Sequence, residues 1–255
     1  MIQPSNFFLR GPYGTPDWDF ATNSPGALPG AYPCGLIESI DGARFGGCVR
    51  VGFGWILTAH HVVDIPDMVT RFRATFGYVN NATKGTAYSL SPEDFFCSDD
   101  GIQGPNGLGF TRDYAFIRIA NPQQDPSTIH MGTARVLPPQ KGEELHIPQH
   151  RSRRAMQISR EHSIEFPDVG RVVSVKDPHL IFHRCSTYEG SSGSPIFDTH
   201  WKVLGLHTHG FRPNSKDDIV RELNWGTRID SIAADAKARG FKFLDEMPLL
   251  APVVP

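Results

Sequence analysis

The stretch TYEGSSGSPIFD, residues 187–198, sets three serines and two glycines directly before an apolar run. A plain turn needs two such residues. Small, polar material crowded in front of a strand reads either as a surface loop or as a nucleophile presented on a tight turn. The second reading makes demands on the rest of the chain. A serine hydroxyl is a weak nucleophile at its free pKa and needs a base within hydrogen-bond reach, a group that orients the base, and N–H donors facing the developing oxyanion. Two further stretches supply such parts. WILTAHHVVD (55–64) puts His60 and His61 directly after an apolar run, and TRDYAFIRIA (111–120) sets Asp113 at the mouth of another, while EGSSGSPIF (189–197) places Ser192 between Gly190 and Gly193.

Outward from these stretches, short apolar or alternating runs follow one another between turn signals: CGLIESI, GGCVRVGFGWILTA, RFRATFGYV, DYAFIRIA, ELHIPQ, RAMQIS, GRVVSV, LIFHRC, SPIFD and KVLGLHTH. Runs of this length, rich in β-branched and aromatic residues, predict an all-β sandwich or pair of barrels. One helix closes the pattern. DSIAADAKARG (230–240) offers Asp230 or Ser231 as N-cap, places Ile232, Ala233 and Ala236 on one face, and ends at Gly240 as the residue after the C-cap. Residues 11–30 hold eight Gly or Pro in twenty, which argues for an irregular arm and against a first strand. Segments 91–112 and 211–223 read as long surface loops.

Bulk properties narrow the function. The chain has 255 residues, 39% hydrophobic and 20% charged, enough for a sizeable core in one large or two small domains. With 25 basic against 27 acidic residues, no global positive field draws it to nucleic acid or anionic lipid. Cys34, Cys48, Cys97 and Cys185 form no CxxC pair or dense spacing and read as free thiols, mostly buried. Phe7-Phe8-Leu9 is too short for a signal-peptide core, and no run of about 18 apolar residues occurs, so a cytoplasmic location is the expectation, with a secreted, processed form as the open alternative.

The three chemical stretches, in the order His, Asp, Ser, resemble the chymotrypsin-like serine peptidases, in particular the bacterial trypsin-like peptidases and glutamyl endopeptidases. TAHHVV, RDYAFIRI and GSSGSP are similar to that family's histidine, aspartate and serine blocks. IPQHRSRRAMQIS (147–159) and NWGTRIDSI (224–232) resemble its later strands, so the likeness runs from about Tyr32 to Gly240. The resemblance implies an all-β, chymotrypsin-like double six-stranded β-barrel with a C-terminal α-helix. It would consist of an irregular arm (1–31), a peptidase domain (32–245, its two barrels dividing at about 125–140) and a tail (246–255).

Carried over position by position, the resemblance makes His61 the general base, Asp113 its orienting carboxylate and Ser192 the nucleophile. The N–H groups of Gly190 and Ser192 would form the oxyanion hole. Ser191 stands where digestive relatives carry an aspartate that pairs with a new N-terminus, so that mode of activation is not expected. Cys48 takes one half-cystine position, but Val62 follows the histidine where its partner would be. In the substrate pocket Ser186 replaces the aspartate that selects Lys or Arg. Thr187 and His207 take the places resembling those that hold a glutamate carboxylate, which implies cleavage after Glu or Asp, with a protonated His207 compensating the buried charge.

Thr208 would hydrogen-bond Asp113, and His209 and Gly210 would edge the groove in which substrate pairs as an added strand. The other reading of His207 and His209, strand histidines that fill space or meet water, stays open. Neither His179/His183/Cys185 nor His207/His209 fits a recognised zinc set, and no metal or cofactor is expected. The partners expected are a protein or peptide substrate and a regulatory or effector protein, as in bacterial defence or regulatory systems. The competing function is a catalytically silent peptidase fold that binds peptide or a partner.

Overall fold

The structure is a computed structural model that describes residues 18–20, 31–64, 66–98, 112–121, 133–134, 139–159, 172–174, 179–210 and 223–244. Six strands of the first half close into a barrel: β2 (Cys34–Ser39), β3 (Phe45–Gly52), β4 (Trp55–Thr58), β5 (Phe72–Phe76), β6 (Thr86–Cys97) and β7 (Ala115–Ile119). Their order around the barrel is β2-β3-β4-β7-β6-β5, and every neighbouring pair with a recorded register is antiparallel. The runs GGCVRVG and WILT are buried almost throughout, which marks strands covered on both faces. Thr86 to Leu90, by contrast, alternates from Ala87 to Leu90 as a strand with one wet face does.

The second half departs from expectation. A double six-stranded barrel does not form: among the described residues only the first sheet is closed. The other six-stranded sheet is open, with β11 (Val172–Ser174), β12 (Leu180–His183), β15 (Asn224–Arg228), β14 (Lys202–His209) and β13 (Pro195–Phe197) in that order and β8 (Thr133–Ala134) added parallel to β14. The strands that would complete a ring pair elsewhere. β9 (Ile147–Gln149) and β10 (Gln157–Ser159) form a separate three-stranded sheet with β1 (Trp18–Phe20), joined to β13 by a single bridge between His146 and Phe197. One bridge is not a ladder, and the sheet stays open on that side.

β1 also corrects the reading of the N-terminal segment, since Trp18–Phe20 lies antiparallel to β10 in full register. The supposed loop 91–112 is corrected at its start. Ser91 pairs with Arg118 and Phe95 with Ile117, so Pro92-Glu93-Asp94 bulge out of a strand that resumes at Phe95. Residues 99–111, 211–222 and 245–255 lie outside the described residues, as does most of the expected domain boundary.

The helix α1 spans Ile229–Ala238 with Arg228 as N-cap and no side-chain cap. Asp230 sits inside its first turn and binds Arg228 at both nitrogens. Gly240 has φ 77° just past the C-cap Arg239, as expected. Ile232 and Ala236 are buried and Ala233 partly so. Phe241 and Phe243 then pack on Trp55 at 5.4 and 5.1 Å between ring centroids, sealing the outside of the barrel. All four cysteines are free thiols, three of them buried. Among the described residues no helix is long and apolar enough to cross a membrane.

Candidate active site

Histidine and carboxylate come from the barrel. His61 follows β4 and Asp113 precedes β7, and since these strands pair antiparallel, with Thr58 opposite Ala115, the two residues leave the same end of the barrel side by side. His61 Nδ1–H donates to Asp113 Oδ2 at 2.5 Å, and the His61 backbone N–H donates to Oδ1 at 3.1 Å. Burial pushes the Asp113 carboxyl up, but the hydrogen bond and charge of His61, with His209 adding to them, outweigh it and hold it below the usual carboxylate range. An ionised Asp113 fixes the imidazole proton on Nδ1. That leaves Nε2 as the basic atom.

Two side-chain bridges fix the carboxylate's own loop. Tyr114 Oη–H donates to Asp235 Oδ2 at 2.7 Å, and Arg112 pairs with Asp235 Oδ1 at 2.9 Å. Both neighbours of Asp113 thus grip one acid of α1.

The serine comes from the other half. Gly190 and Gly193 have φ of 89° and 86°, a region where a side chain is strained. A Cβ on Gly190 would stand 2.5 Å from the Phe45 ring, and one on Gly193 would stand 2.2 Å from the Gly47 oxygen and 2.4 Å from Thr58 Oγ1. The barrel side answers with glycines too. A Cβ on Gly46 would meet the Ser192 oxygen at 2.6 Å, and one on Gly47 would meet Ser194 Oγ at 2.3 Å. Gly47 N–H donates to the Ser192 carbonyl at 2.7 Å, and Thr58 Oγ1–H donates to the Gly47 carbonyl at 2.8 Å. Gly46-Gly47 had no assigned role in the sequence reading, and its only signal there was the repeated glycine.

Around Ser192 the loop's other amides are committed. Ser191 N–H donates to Tyr188, Gly193 N–H to His207 and Ser194 N–H to Ser191. The N–H groups of Gly190 and Ser192 donate to no acceptor among the described residues. Ser192 Oγ–H donates to the Thr208 carbonyl at 3.2 Å, and no hydrogen bond joins it to His61. Ser191 is fully buried and donates to Gln149 Oε1, while Gln149 Nε2 donates to the Ser186 carbonyl at 2.9 Å. A neutral amide therefore braces the loop where an ion pair would in digestive relatives.

The pocket residues divide. Ser186 and His207 are buried and Thr187 is half-buried. His207 is tied to a residue that sequence reasoning considered only as a metal ligand. The Cys185 N–H donates to His183 Nδ1 at 3.2 Å, so His183 carries its proton on Nε2, which donates to His207 Nδ1 at 3.2 Å. His207 is left with its proton on Nε2. Burial, reinforced by the neighbouring histidines, drives His207 well below the ordinary histidine range, and burial alone takes His183 down to about 3. With no carboxylate placed against them, both rings are neutral donors at pH 7.

Thr208 is also corrected, since its hydroxyl donates to the Trp225 carbonyl at 3.4 Å and not to Asp113. The Asp113 backbone N–H donates to Thr227 Oγ1 at 3.2 Å. His209 stacks on Trp225 with ring centroids 5.1 Å apart and planes 9° apart, and its Nδ1 lies 3.9 Å from Asp113 Oδ2. Gly210 follows at the exposed end of β14.

Several known proteins share this arrangement of strands. A Glu endopeptidase solved in complex with MPD superposes with a TM-score of 0.62 over 90% of this chain and 97% of its own, at 16% identity. The active form of the Rv3671c protease from M. tuberculosis gives 0.58 over 94% of each chain at 14% identity. The serine endoprotease from Yersinia pestis gives 0.57 over 84% of this chain and 64% of its own, at 14% identity. At such identities the likeness is one of fold. In sequence, the uncharacterized protein y4fB of Sinorhizobium fredii is 26% identical over 180 residues, 67% of this chain, and the match spans only 26% of that relative's length. The pattern described as the trypsin-like peptidase domain matches residues 46–206, more than half of the chain and the whole interval that carries His61, Asp113 and Ser192, and the chain belongs to that family.

Proposed function

We propose that the chain is a serine endopeptidase that hydrolyses peptide bonds through a Ser192–His61–Asp113 triad and an acyl-enzyme intermediate, cutting after Glu or Asp. The observation that carries this reading is a His61 ring oriented by a buried Asp113 at the same seam as a glycine-flanked Ser192 with two uncommitted N–H groups beside it. In the proposed reaction Ser192 Oγ turns from the Thr208 carbonyl toward His61 Nε2, gives up its proton there and attacks the substrate carbonyl. The N–H groups of Gly190 and Ser192 receive the oxyanion, worth about 3–4 kcal/mol per donor in the transition state. His61 Nε2–H then protonates the leaving amine, and water repeats the sequence to release the acid.

The acidic preference is supported by the relay from Cys185 N–H through His183 to His207, which leaves a neutral N–H donor on a buried ring. A glutamate side chain placed against it would favour the charged form of His207. Binding would then take up a proton. Calorimetry in buffers of different ionisation enthalpy measures that uptake, and a Glu peptide that binds without it removes the role given to His207.

A single observation favours the silent fold: the Ser192 hydroxyl is bonded to a backbone carbonyl and not to the base. Labelling with a fluorophosphonate separates the two readings. Label confined to Ser192 and abolished in Ser192→Ala supports the peptidase, and folded wild type that takes none supports the binding module. A panel of peptides varied at the residue before the cut then tests Glu and Asp against Leu and Arg.

A further inference from the structure

Within the seam, three side chains of metal-binding type converge without being needed together for peptide hydrolysis. His61, Asp113 and His209 each offer one ligand atom, and all three atoms lie within 4.8 Å of one another. We infer that these residues form an inhibitory binding site for a zinc-class divalent cation. The donor set is two imidazoles and one carboxylate, which matches the three-protein-ligand pattern of open zinc sites and leaves a fourth position for water.

His209 is the residue that makes the set. It stands at the end of β14 in register with Trp225, whose ring holds it nearly coplanar at 5.1 Å. Its ring centroid is 5.3 Å from that of His61. Thus one imidazole is fixed, and the carboxylate is buried with 6% of its side chain exposed. The His61 ring, at 24%, is the most open of the three. An ion enters from that side.

Binding and catalysis exclude each other by geometry. Ligands at ~2.0–2.1 Å around a tetrahedral ion stand roughly 3.4 Å apart, whereas His61 Nδ1 and Asp113 Oδ2 are 2.5 Å apart. The ring must therefore swing outward to admit the cation between them. The Nδ1–H bond breaks, its proton goes to solvent, and an Nδ1–metal bond replaces it. The imidazole is then turned away from the orientation that Asp113 imposes. His183 cannot substitute, since its Nδ1 already accepts from the Cys185 N–H and its Nε2–H donates to His207.

Ion binding does not depend on the chain being a peptidase, but its inhibitory consequence rests on that reading. The test is isothermal calorimetry with zinc chloride on the full chain, with the visible spectrum of added cobalt(II) as a second readout. Wild type should bind one ion and show the intense bands of tetrahedral cobalt. His209→Phe, which keeps a ring to stack on Trp225, should bind more than ~10-fold more weakly, because losing even an outer-shell partner costs about that much. His209→Gln repeats the comparison if the phenylalanine variant does not fold. Wild type that binds no zinc, or a His209 variant that binds it as tightly, overturns the site. Both readouts report even on a hydrolytically silent chain. Zinc should also block fluorophosphonate labelling of Ser192, with EDTA restoring it; bound zinc that leaves labelling untouched overturns the inhibition.

Discussion

The closed barrel β2–β7 and the open sheet β11–β15 bury different mixtures of side chains. The barrel packs Ile37, Val49, Trp55, Leu57, Phe72, Phe116 and Ile117 at essentially no exposure, and its strands also bury Ser39, Thr58, Thr75 and Arg50, the last with its guanidinium 3.7 Å over the Phe76 ring. The open half buries His183, Ser186, His207, Asn224 and Thr227 among smaller apolar clusters. Each of these polar groups is a hydrogen-bonding liability unless partnered, and the relay of amide and imidazoles shows how two of them are satisfied. The apolar, closed half is suited to holding two side chains still. In the proposed function the more polar half would read the substrate, because its donors are already aligned and dry.

That division can be attacked from either side, and the largest effect comes from the chemistry the halves share. Ser192→Ala and His61→Ala should each lower kcat by about 10⁶, and Asp113→Asn by about 10⁴ through loss of the right tautomer, each measured with a Glu peptide. Comparable losses from residues of opposite halves would show that neither half works alone. Selectivity, by contrast, should break on one side only. His207→Ala should lower the kcat/KM ratio of Glu over Leu peptides by ~10- to 100-fold, the value of a hydrogen bond to a charged group. His183→Ala should act in the same direction by less, because it frees the His207 tautomer without removing the ring. Leu peptides should be cut by both variants almost as by wild type.

A smaller effect tests whether barrel closure by itself holds Asp113. Asp235→Ala removes the acid that Arg112 and Tyr114 grip, and should reduce kcat roughly 10-fold with KM unchanged, a fraction of what an ångström of misplacement can cost. A KM effect with kcat intact would place Asp235 outside the orienting apparatus.

The smallest effect is on stability, and it sorts the halves by pH. His150, His183 and His207 all have folded pKa values depressed by burial, His150 to about 4 and His183 to about 3. As pH falls below the unfolded value of ~6.5, the unfolded chain binds protons that the folded chain refuses. Stability from these groups is therefore lost between about 6.5 and their folded values. Asp113 is depressed from a carboxylate's value, so its contribution persists until pH falls below ~3.9. Between pH 7 and 5, hydrogen-exchange protection, corrected for intrinsic rate, should drop in β12 and β14 and hold in β3 and β4. Equal loss in both halves would remove the distinction.

What the sequence revealed follows the same line. The gathering of His61, Asp113 and Ser192 at one seam was legible because a nucleophile and its base would demand particular residue types beside strands, and the strand runs around them have period and length that survive any packing. The end of the helix was legible because Gly240 stops it sterically, whereas its cap is Arg228, two residues before the expected Asp230. The closure of the second sheet was not legible, since whether β9 pairs with β13 over one residue pair or several is a matter of long-range register that no local pattern records. Pro92-Glu93-Asp94 read as loop for a related reason: a bulge is polar and turn-rich in sequence, and only the partner strand β7 reveals that pairing resumes at Phe95. The bond of His183 to His207 was missed because its partner lies 24 positions away. Thr208 failed because its hydroxyl had a backbone carbonyl within reach.

The seam of Gly46, Gly47 and Gly193 gives the molecule the logic of an AND gate. In the proposed mechanism, base and orienting acid arrive on one input, nucleophile and oxyanion donors on the other, and the output exists only where glycine backbones touch with no side chain between them. A ligand that wedged this contact open by the width of one methyl group would silence the protein while leaving every one of its chemical groups in place. On the proposed function the converse holds for design: cut between its two inputs, the chain would become a pair of inert fragments whose reunion is read out as hydrolysis.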